Sequence, residues 1–450
     1  MDNPVTGSKI EKVTLIPRYT LKDGTKTEIT GDAQEVDLTP FIAEIYYYET
    51  LLSPNTTAVM SILNQFKNIK LQENIYIAGG EEVTFTCKDF VSENNRDKDS
   101  GLRKIKMRVE IADNKTTTNT AEVFRLRLES SWKETAENVN KIQGEQKGPV
   151  TEIANAVFKA NFDRDIEFKD NATNTMNVTF GDEKKDDTFP AIMGLAAKAA
   201  YNESAGFFFY QTKFGHHFKS VDRLIQEAKS GEMSAIGREP YSYQYSGVNP
   251  GIENADVSSR TIISISKKTN NWFVKNQMRA DASRPVTPIV MDPLTYNWAS
   301  PGPVTYESKF ETFDIGEVDV SDAGDFGKAA WGSTKLENFG MMYRLPDDIC
   351  EFQNDPLKAQ AVSRARYTSL FGEMITISIP CNTSLIAGSS VKLDIKKNQE
   401  GSECSFEDNL VNSGDAGLYI VAAVCHAFDR KEAYSSVLLV RDQKRKEAKT

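Results

Sequence analysis

The chain has 450 residues and a formal net charge of −10, from 54 lysines and arginines against 64 aspartates and glutamates. Hydrophobic residues make up 39% of the sequence and aromatic residues 10%, which is enough apolar material for several packed cores and excludes wholesale disorder. The acidic balance argues against specific nucleic-acid binding, because that function needs clustered cations to replace the counterions of the phosphates.

The first 132 residues predict an antiparallel β-domain. In one of its short runs, Val83, Phe85 and Cys87 face one way and the threonines between them face the other. Strands at this spacing, with few helical signals, indicate a small barrel or sandwich. The predicted strands cover residues 13–16, 44–49, 58–62, 83–87, 103–110 and 122–129.

The segment 44–49 is the most aromatic of these predicted strands. Three tyrosines follow one another, so large amphipathic rings lie on both faces of the strand. Either this is a covered central strand of a sheet, or its rings meet a neighbouring subunit, since protein interfaces are enriched in such side chains. We keep both interpretations and predict a candidate subunit-interface strand made of Glu44, Tyr46, Tyr47, Tyr48 and Glu49.

Residues 133–230 predict a small α+β module. A helix begins behind Pro149, which suits the first helical turn, and a second helix covers residues 189–201. The predicted apolar stripes contain Ile153, Ala156, Val157 and Ala160 in the first helix and Ile192, Met193, Ala196, Ala199 and Ala200 in the second. The aromatic segment 207–218 predicts a tight hairpin, and Ser220 is placed to cap a third helix.

Residues 231–445 predict a second β-domain that carries an insertion. The insertion, at about 284–354, is rich in proline, glycine and acidic residues, which indicates an extended, irregular segment. Residues 446–450 predict a frayed basic tail, and no internal repeat is obvious. The predicted strands cover residues 261–265, 375–379, 391–395, 418–428 and 434–440.

Candidates for chemistry are few. His216 and His217 lie in the predicted hairpin, where neighbouring side chains point to opposite faces, so we expect one ring packed and one solvated rather than a shared metal ion. Cys425 and His426 diverge for the same reason and lie in an apolar run, which favours an unreactive thiol over a nucleophile. None of the common nucleotide-binding, zinc-protease or serine-hydrolase motifs occurs. We therefore predict no catalytic, cofactor-binding or metal-binding residues, no cofactor and no enzyme activity.

The five cysteines are odd in number and widely spaced, which predicts reduced thiols rather than a zinc site or a disulfide scaffold. Residues 1–12 lack the apolar core of a signal peptide, and no run of about 20 apolar residues occurs. We therefore expect synthesis in the cytoplasm and no stable membrane insertion.

The C-terminal stretch carries a more specific pattern. A strand ends in Ile379-Pro380 and a Leu385-x-x-Gly388 turn follows it. A strand of the form Gly-x-Tyr-x-Val-x-x-Val-x-His then covers residues 417–426, and the last strand ends in Arg441-Asp442. This pattern resembles the last barrel of central baseplate hub proteins in contractile-tailed bacteriophages, the late-control protein D family and, more distantly, the valine-glycine repeat spike proteins. The histidine of the pattern matches His426, for which we expect a structural role.

The resemblance implies a mainly β fold with two tube-like antiparallel β-barrel domains, at residues 1–132 and 231–445, and the small α+β domain between them. It implies a structural hub: a homotrimeric ring with pseudo-sixfold symmetry that joins the hexameric tail tube to the trimeric central spike and surrounds the DNA channel. The implied partners are the chain itself, the central spike protein, the tail tube protein and other baseplate proteins. The implied location is the virion tail, with assembly in the host bacterial cytoplasm. Such a symmetry adaptor would serve virion assembly and DNA ejection, and an acidic channel wall would repel DNA phosphates.

Two alternatives belong to other classes of function. A tail-tip cell-wall hydrolase requires a nucleophile or a metal site, for which the sequence offers no motif. A glycan-binding adhesin, as a β-rich domain that displays aromatic side chains, would bind cell-surface sugar and no tail component.

Overall fold

The predicted irregular insertion and the predicted tail fall largely outside the part of the chain whose structure is described. A computed structural model describes residues 9–22, 25–29, 34–65, 77, 79–89, 101–117, 121–131, 144–180, 187–201, 204–230, 241–245, 261–269, 289–291, 298–299, 341–343, 363, 367, 370–371, 373–398, 410–412, 417–430 and 432–441. Within the insertion, these ranges contain three short strands. The tail, residues 446–450, lies outside the described residues.

Strands dominate the N-terminal part of the chain, as predicted. They are β1 Lys9–Ile16, β2 Tyr19–Lys22, β3 Thr25–Glu28, β4 Val36–Asp37, β5 Ile42–Thr50, β6 Thr57–Gln65, β7 Glu82–Lys88, β8 Leu102–Thr117 and β9 Ala121–Ser130. In β7, Val83, Phe85 and Cys87 are fully buried while the residues between them are half-buried. Alternation with a period of two therefore identified β7 correctly, because one of its faces packs into the core, whereas β2, β3 and β4 were not predicted.

The middle of the chain combines helices with short strands. The helices are α1 Val150–Phe162, α2 Thr188–Ala196 and α3 Val221–Ser230. The strands are β10 Gly144–Pro149, β11 Phe168–Lys169, β12 Thr175–Phe180, β13 Ala200–Tyr201, β14 Ser204–Ala205, β15 Phe207–Thr212 and β16 Gly215–Ser220. The predicted hairpin is the antiparallel pair β15–β16. The predicted cap of α3 is confirmed, because the Ser220 hydroxyl accepts a hydrogen bond from the Arg223 N–H at 3.1 Å.

The faces of the first two helices differ from the prediction. In α1, Ala154 and Phe158 are buried, whereas Ala156 and Ala160 of the predicted stripe are exposed. Burying the large Phe158 ring removes more apolar surface from water than burying two alanine methyl groups, so the helix turns towards the phenylalanine. Helix α2 ends at Ala196, earlier than predicted, and its Met193 is 40% exposed.

The C-terminal part returns to strands. They are β17 Tyr241–Tyr245, β18 Ser264–Thr269, β19 Ile289–Met291, β20 Trp298–Ala299, β21 Met341–Tyr343, β22 Glu373–Pro380, β23 Ser390–Asn398, β24 Leu410–Asn412, β25 Gly417–Asp429 and β26 Ala433–Arg441. In β22 the alternating Ile375, Ile377 and Ile379 are fully buried. Each of these side chains stabilises the fold by roughly 1.5–3 kcal/mol through removal of apolar surface from water.

A single 14-stranded sheet connects the two ends of the chain. Its main path runs β18-β22-β26-β25-β5-β6-β9-β8-β7-β1-β4, with β23, β17 and β24 branching off at β25. The link between the N-terminal and C-terminal strands is the antiparallel pair β5–β25, which joins seven residue pairs from Ala423–Thr50 to Asp429–Glu44. The mainly β fold with a small α+β part is thus confirmed, while the division into two tube-like barrels stays a prediction.

The two ends of this sheet repeat one topology. The N-terminal half-sheet, β5-β6-β9-β8, and the C-terminal half-sheet, β18-β22-β26-β25, have the same strand order relative to the sequence. A further strand pairs with the start of the last member in each case, β7 with β8 and β23 with β25. Both last members carry a bulge at the matching point, between Val109 and Ile111 and between Val421 and Ala423. The sequence alone did not reveal this repeat.

The turns that lead into β7 and β23 repeat as well. Gly80 and Gly388 take nearly the same left-handed backbone conformation, with φ of +85° and +84°. The Gly80 N–H donates to the Val109 carbonyl at 2.7 Å, and the Gly388 N–H donates to the Val421 carbonyl at 2.8 Å. Glycine is favoured at both positions because a Cβ is strained in this conformation.

Candidate functional site: the junction between the half-sheets

The predicted interface strand β5 lies in the middle of the sheet, with β25 on one edge and β6 on the other. Its backbone is therefore paired within the chain on both sides. Tyr47 and Glu49 are 1% exposed and point into the interior, whereas Glu44, Tyr46 and Tyr48 lie on the outward face. The covered-strand interpretation holds for the two inward side chains, and a subunit contact stays a prediction for the three outward ones.

Glu49 is the polar centre of the junction, where three parts of the chain meet. Its carboxylate accepts hydrogen bonds from the Tyr47 hydroxyl at 3.2 Å, the Lys213 backbone N–H at 2.7 Å and the Ala387 backbone N–H at 3.2 Å. Lys213 lies in the turn between β15 and β16, and Ala387 lies in the segment between β22 and β23. Burial raises the pKa of Glu49 to about 7, although the hydrogen bonds and the Lys213 charge act in the opposite direction.

The segment 381–389 joins the C-terminal half-sheet to the N-terminal strands. Nearly all of its residues are buried, although it has no regular secondary structure. The Asp89 carboxylate accepts from the Thr383 N–H at 2.6 Å and from its hydroxyl, and that hydroxyl accepts from the Gly101 N–H at 2.7 Å. Side chains and backbone of distant strands thus satisfy the polar groups of a buried loop, as burial requires.

His426 holds the same segment from the side of β25. Its Nε2 lies 3.1 Å from the Leu385 carbonyl, which only accepts, so Nε2 carries the proton. Its Nδ1 lies 2.8 Å from the Ser435 hydroxyl and accepts from it. Burial lowers the pKa of His426 to about 4, and its ring stacks on Tyr47 at 6.5 Å. These contacts bear out the structural role expected for this histidine.

Cys425 and His426 do not form a catalytic pair. The histidine points into the junction, whereas Cys425 faces outward beside Tyr48 and Tyr434. Burial raises the pKa of the Cys425 thiol to about 11, so the nucleophilic thiolate is scarce at neutral pH.

Both histidines of the β15–β16 hairpin are buried, so the expectation that one would be solvated is wrong. His216 packs among aromatic rings of the α+β core, 4.9 Å from Phe158, and burial lowers its pKa to about 3. His217 points to the other face, where it stacks on Tyr210 at 4.7 Å and on Phe168 at 4.5 Å. The hairpin is covered on both faces, which the alternation of its residues does not reveal.

A second buried polar group closes the far end of the C-terminal half-sheet. Glu373 accepts from the Arg441 guanidinium at 2.7 Å and from the Tyr419 hydroxyl at 3.0 Å. The guanidinium also lies over the Tyr419 ring, 4.4 Å from its centre. The arginine and the tyrosine both belong to the C-terminal sequence pattern, and here they hold β22, β25 and β26 together.

The described residues offer little for metal or membrane chemistry. Within the described ranges, His, Cys, Asp and Glu side chains form no group of three that could hold a metal ion. Among the same residues, no helix is both long and apolar enough to cross a membrane.

Sequence patterns did not identify several residues of the junction. Asp89, Lys213 and Thr383 come from three distant segments, and charged or hydroxyl side chains normally signal the surface. Their one available signal is position, since Asp89 directly follows a strand and Lys213 lies in a tight turn. Only the folded sheet brings these turns together.

Comparison with known proteins adds structures but no sequence family. No family model matches the chain, and no curated protein sequence matches it. A tail protein from Neisseria meningitidis MC58 aligns over 97% of this chain and 96% of its own, with 9% identity and a TM-score of 0.45. The prophage MuSo2 43 kDa tail protein from Shewanella oneidensis aligns over 96% of this chain and 98% of its own, with 9% identity and a TM-score of 0.43.

A Francisella PdpA–VgrG complex in its lidded form is also similar. The alignment covers 100% of this chain and 55% of the other, with 10% identity and a TM-score of 0.44. At 9–10% identity and with TM-scores below 0.5, these likenesses carry no argument for a shared function.

Proposed function

We propose that this chain is the structural, non-enzymatic hub of a phage tail baseplate. The observation that carries the proposal is the repeated topology: two equivalent half-sheets are joined edge to edge by β5 and β25 within one chain. Three such chains around an axis bring six equivalent half-sheets together, so one trimeric ring meets a hexameric tail tube on one rim and a trimeric spike on the other. The C-terminal pattern that resembles hub proteins supports the same function.

The proposal follows the symmetry rules of protein assembly. Two half-sheets that pair through different edges make a heterologous contact, and repeating such a contact gives either a closed ring or an open filament. Ring closure also removes exposed strand edges, which otherwise aggregate. With a net charge of −10, the ring has acidic groups available to repel DNA phosphates along its channel.

The rest of the proposal concerns organisation and partners. We divide the chain into tube-like barrels at residues 1–132 and 231–445, with the α+β module between them. Its partners are two further copies, the central spike protein, the tail tube protein and other baseplate proteins, in the tail of a virion assembled in the bacterial cytoplasm.

Co-purification tests the proposed partners. A tagged chain is co-expressed with the spike and tube proteins encoded in the same genome. We expect a complex with one spike trimer for three copies of the chain, and a tube hexamer that joins once the ring is present. Recovery of the chain without either protein, from cells that contain both in soluble form, would contradict the proposal.

One observation favours a glycan-binding adhesin as a second candidate. Tyr48 and Tyr434 are 37% and 41% exposed on the outward face, and amphipathic rings of this kind stack on sugars as well as on proteins. A glycan array separates the two functions. Binding to one sugar class that is lost in Tyr48→Ala would favour the adhesin. An array on which no glycan is bound would favour the hub.

A further inference from the structure

Strand β25 changes partners along its length. Its first part, Gly417 to Ile420, pairs with β23, and its second part, Ala423 to Asp429, pairs with β5 on the same edge. The bulge between Val421 and Ala423 separates the two parts. The bulge therefore marks the point at which the strand leaves its own half-sheet and joins the next one.

Strand β8 is the matching strand of the N-terminal half-sheet, and it is occupied only along its first part. β7 pairs with it up to Arg108, and Val109 exchanges hydrogen bonds with the turn at Gly80. Beyond the bulge, Ile111–Asp113 and then Thr116 and Thr117 pair with β9 on one edge, with a second register shift between Asp113 and Thr116. On its other edge, no strand among the described residues pairs with it.

Strand β18 takes the position of β5 in the C-terminal half-sheet. It pairs with β22 as β5 pairs with β6, so that Lys268 lies opposite Met374 where Tyr48 lies opposite Thr57. Within the ranges that the structure describes, its other edge has no strand partner. The eight strands from β18 to β8 in the sheet path are thus flanked by two edge segments, β18, which corresponds to β5, and the later part of β8, which corresponds to β25.

We propose that β18 of one chain pairs antiparallel with Ile111–Thr117 of β8 in a second copy. Up to Asp113, where the second register shift of β8 begins, this contact repeats between chains the pairing that β5 and β25 make within one chain. The inference rests on the proposed ring and names the strands and the register that close it. Because Cys425 lies opposite Tyr48 within the chain, the equivalent register sets Asp113 of one copy opposite Lys268 of the next.

The chemistry at Asp113 fits a cation from outside the chain. Its carboxylate is 22% exposed, and one oxygen, Oδ2, accepts from the Arg127 guanidinium at 2.8 Å. The other oxygen, Oδ1, is buried and has no hydrogen-bond partner among the described residues. The exposed part of this side chain can meet a donor from another chain, and the proposed register brings Lys268 of a second copy opposite Asp113.

The two strand edges that meet in the proposed contact are different, and this difference determines the symmetry of the assembly. β18 is the first strand of the sheet path, and the part of β8 beyond Arg108 is the segment that β7 leaves uncovered, so the contact is heterologous and each copy uses one edge of each kind. Two β8 edges paired about a twofold axis at Asp113 would instead bring the two Asp113 carboxylates together, and like charges directly opposite are destabilising.

Site-directed cross-linking tests both the strands and the register. Asp113→Cys and Lys268→Cys are made separately in the full chain, mixed, and treated with a short bismaleimide. We expect covalent dimers from the mixture, because opposite residues of an antiparallel pair have Cβ atoms about 5 Å apart. The double variant D113C/K268C should give covalent closed trimers. Wild-type protein controls for the native cysteines.

A matched variant shifts the register. Ser264→Cys moves the cysteine four residues along β18 from position 268, or roughly 13 Å at 3.3 Å per residue. Mixed with D113C, it should give at most a tenth of the covalent dimer. Equal yields from both mixtures, or dimers from D113C alone, would overturn the proposed pairing.

Light scattering on the same samples separates this inference from the proposed function. Variants with the mass of three chains but no cross-link would show that a ring exists and closes through other surfaces. Variants and wild type with the mass of one chain at every concentration would overturn the ring and the pairing together.

Discussion

Glu49 is a buried acid whose protonation is linked to folding. Its pKa is about 7 in the folded chain and 4.5 when unperturbed, so the folded state holds the proton more tightly. The stability that the protonated Glu49 carboxyl provides is therefore lost as pH rises from about 4.5 to about 7, because the buried group then ionises. We expect Glu49→Gln to gain stability relative to wild type over this range, by on the order of 3 kcal/mol at about 1.36 kcal/mol per pKa unit.

Urea denaturation at pH 5, 6, 7 and 8 measures this difference. Glu28→Gln, which removes a carboxylate that is 59% exposed, controls for the loss of one negative charge. A difference between Glu49→Gln and wild type that stays constant over the whole pH range would contradict the linkage.

Arg441 illustrates how a buried ion pair differs from an exposed one. Its guanidinium and the Glu373 carboxylate are 6% and 5% exposed, and removal of one partner leaves an uncompensated buried charge. We expect Arg441→Ala to lower the free energy of unfolding by about 3–5 kcal/mol. The matched change Arg18→Ala breaks a pair that is 48% and 59% exposed and should cost less than about 1 kcal/mol. Equal losses in the two variants, measured by urea denaturation, would contradict the role of burial.

At the scale of elements, the repeated turns at Gly80 and Gly388 allow the energetic cost of the left-handed conformation to be measured apart from the cost of a packing clash. Alanine meets the same left-handed conformation at both positions, which costs about 1–3 kcal/mol. At position 388 the new Cβ would also collide with the Tyr210 hydroxyl and touch Leu224 at 3.4 Å, whereas at position 80 it would meet the flexible end of Arg18. We expect Gly388→Ala to be the more destabilising by a further 1–3 kcal/mol or so, as in overpacked cores.

Thermal denaturation of the two glycine variants and of wild type provides the comparison. Tyr210→Phe removes the hydroxyl that the new Cβ meets, so it should recover part of the loss in Gly388→Ala and none in Gly80→Ala. Similar thermal unfolding midpoints for the two glycine variants would show that the contact with Tyr210 does not contribute to the loss of stability.

Elements with one buried face were predictable, and elements covered on two sides were not. The alternation in β7 and β22 identified both strands, because their apolar residues face a core. One of His216 and His217 was expected to be solvated because a hairpin normally has one open face, but here α1 and α2 cover one side while α3 covers the other. The stripe of α1 was misplaced because alanine counted equally with phenylalanine in a periodic pattern.

At the scale of the whole molecule, the pairing of strands that are distant in the chain could not be predicted from the sequence. The partners of β5 are β6, which is near in the chain, and β25, which is far. Local propensity carries no information on the second partner, and register depends on which faces become buried. The repeat of the two half-sheets was not visible in the sequence for a related reason. Tyr47 and Lys267 occupy equivalent positions, which shows that the backbone conformation is repeated although the residue types differ.

The candidate interface strand was predicted in part. Three tyrosines between two acids marked the segment that joins the half-sheets, although the joining occurs within the chain. The outward Glu44, Tyr46 and Tyr48 remain the predicted contact with another subunit. Glu49 was predicted as part of a candidate subunit-interface strand, whereas its three hydrogen bonds make it the centre of the interior junction.

The central claim is a closed ring of three chains, and the native mass of the purified protein tests it most directly. Light scattering after size exclusion, with negative-stain images of the same peak, should give about 151 kDa for three chains of 50.3 kDa each. The images should show a ring with a central hole. A mass of one chain across micromolar concentrations, with no ring even after addition of a spike protein, would contradict the claim.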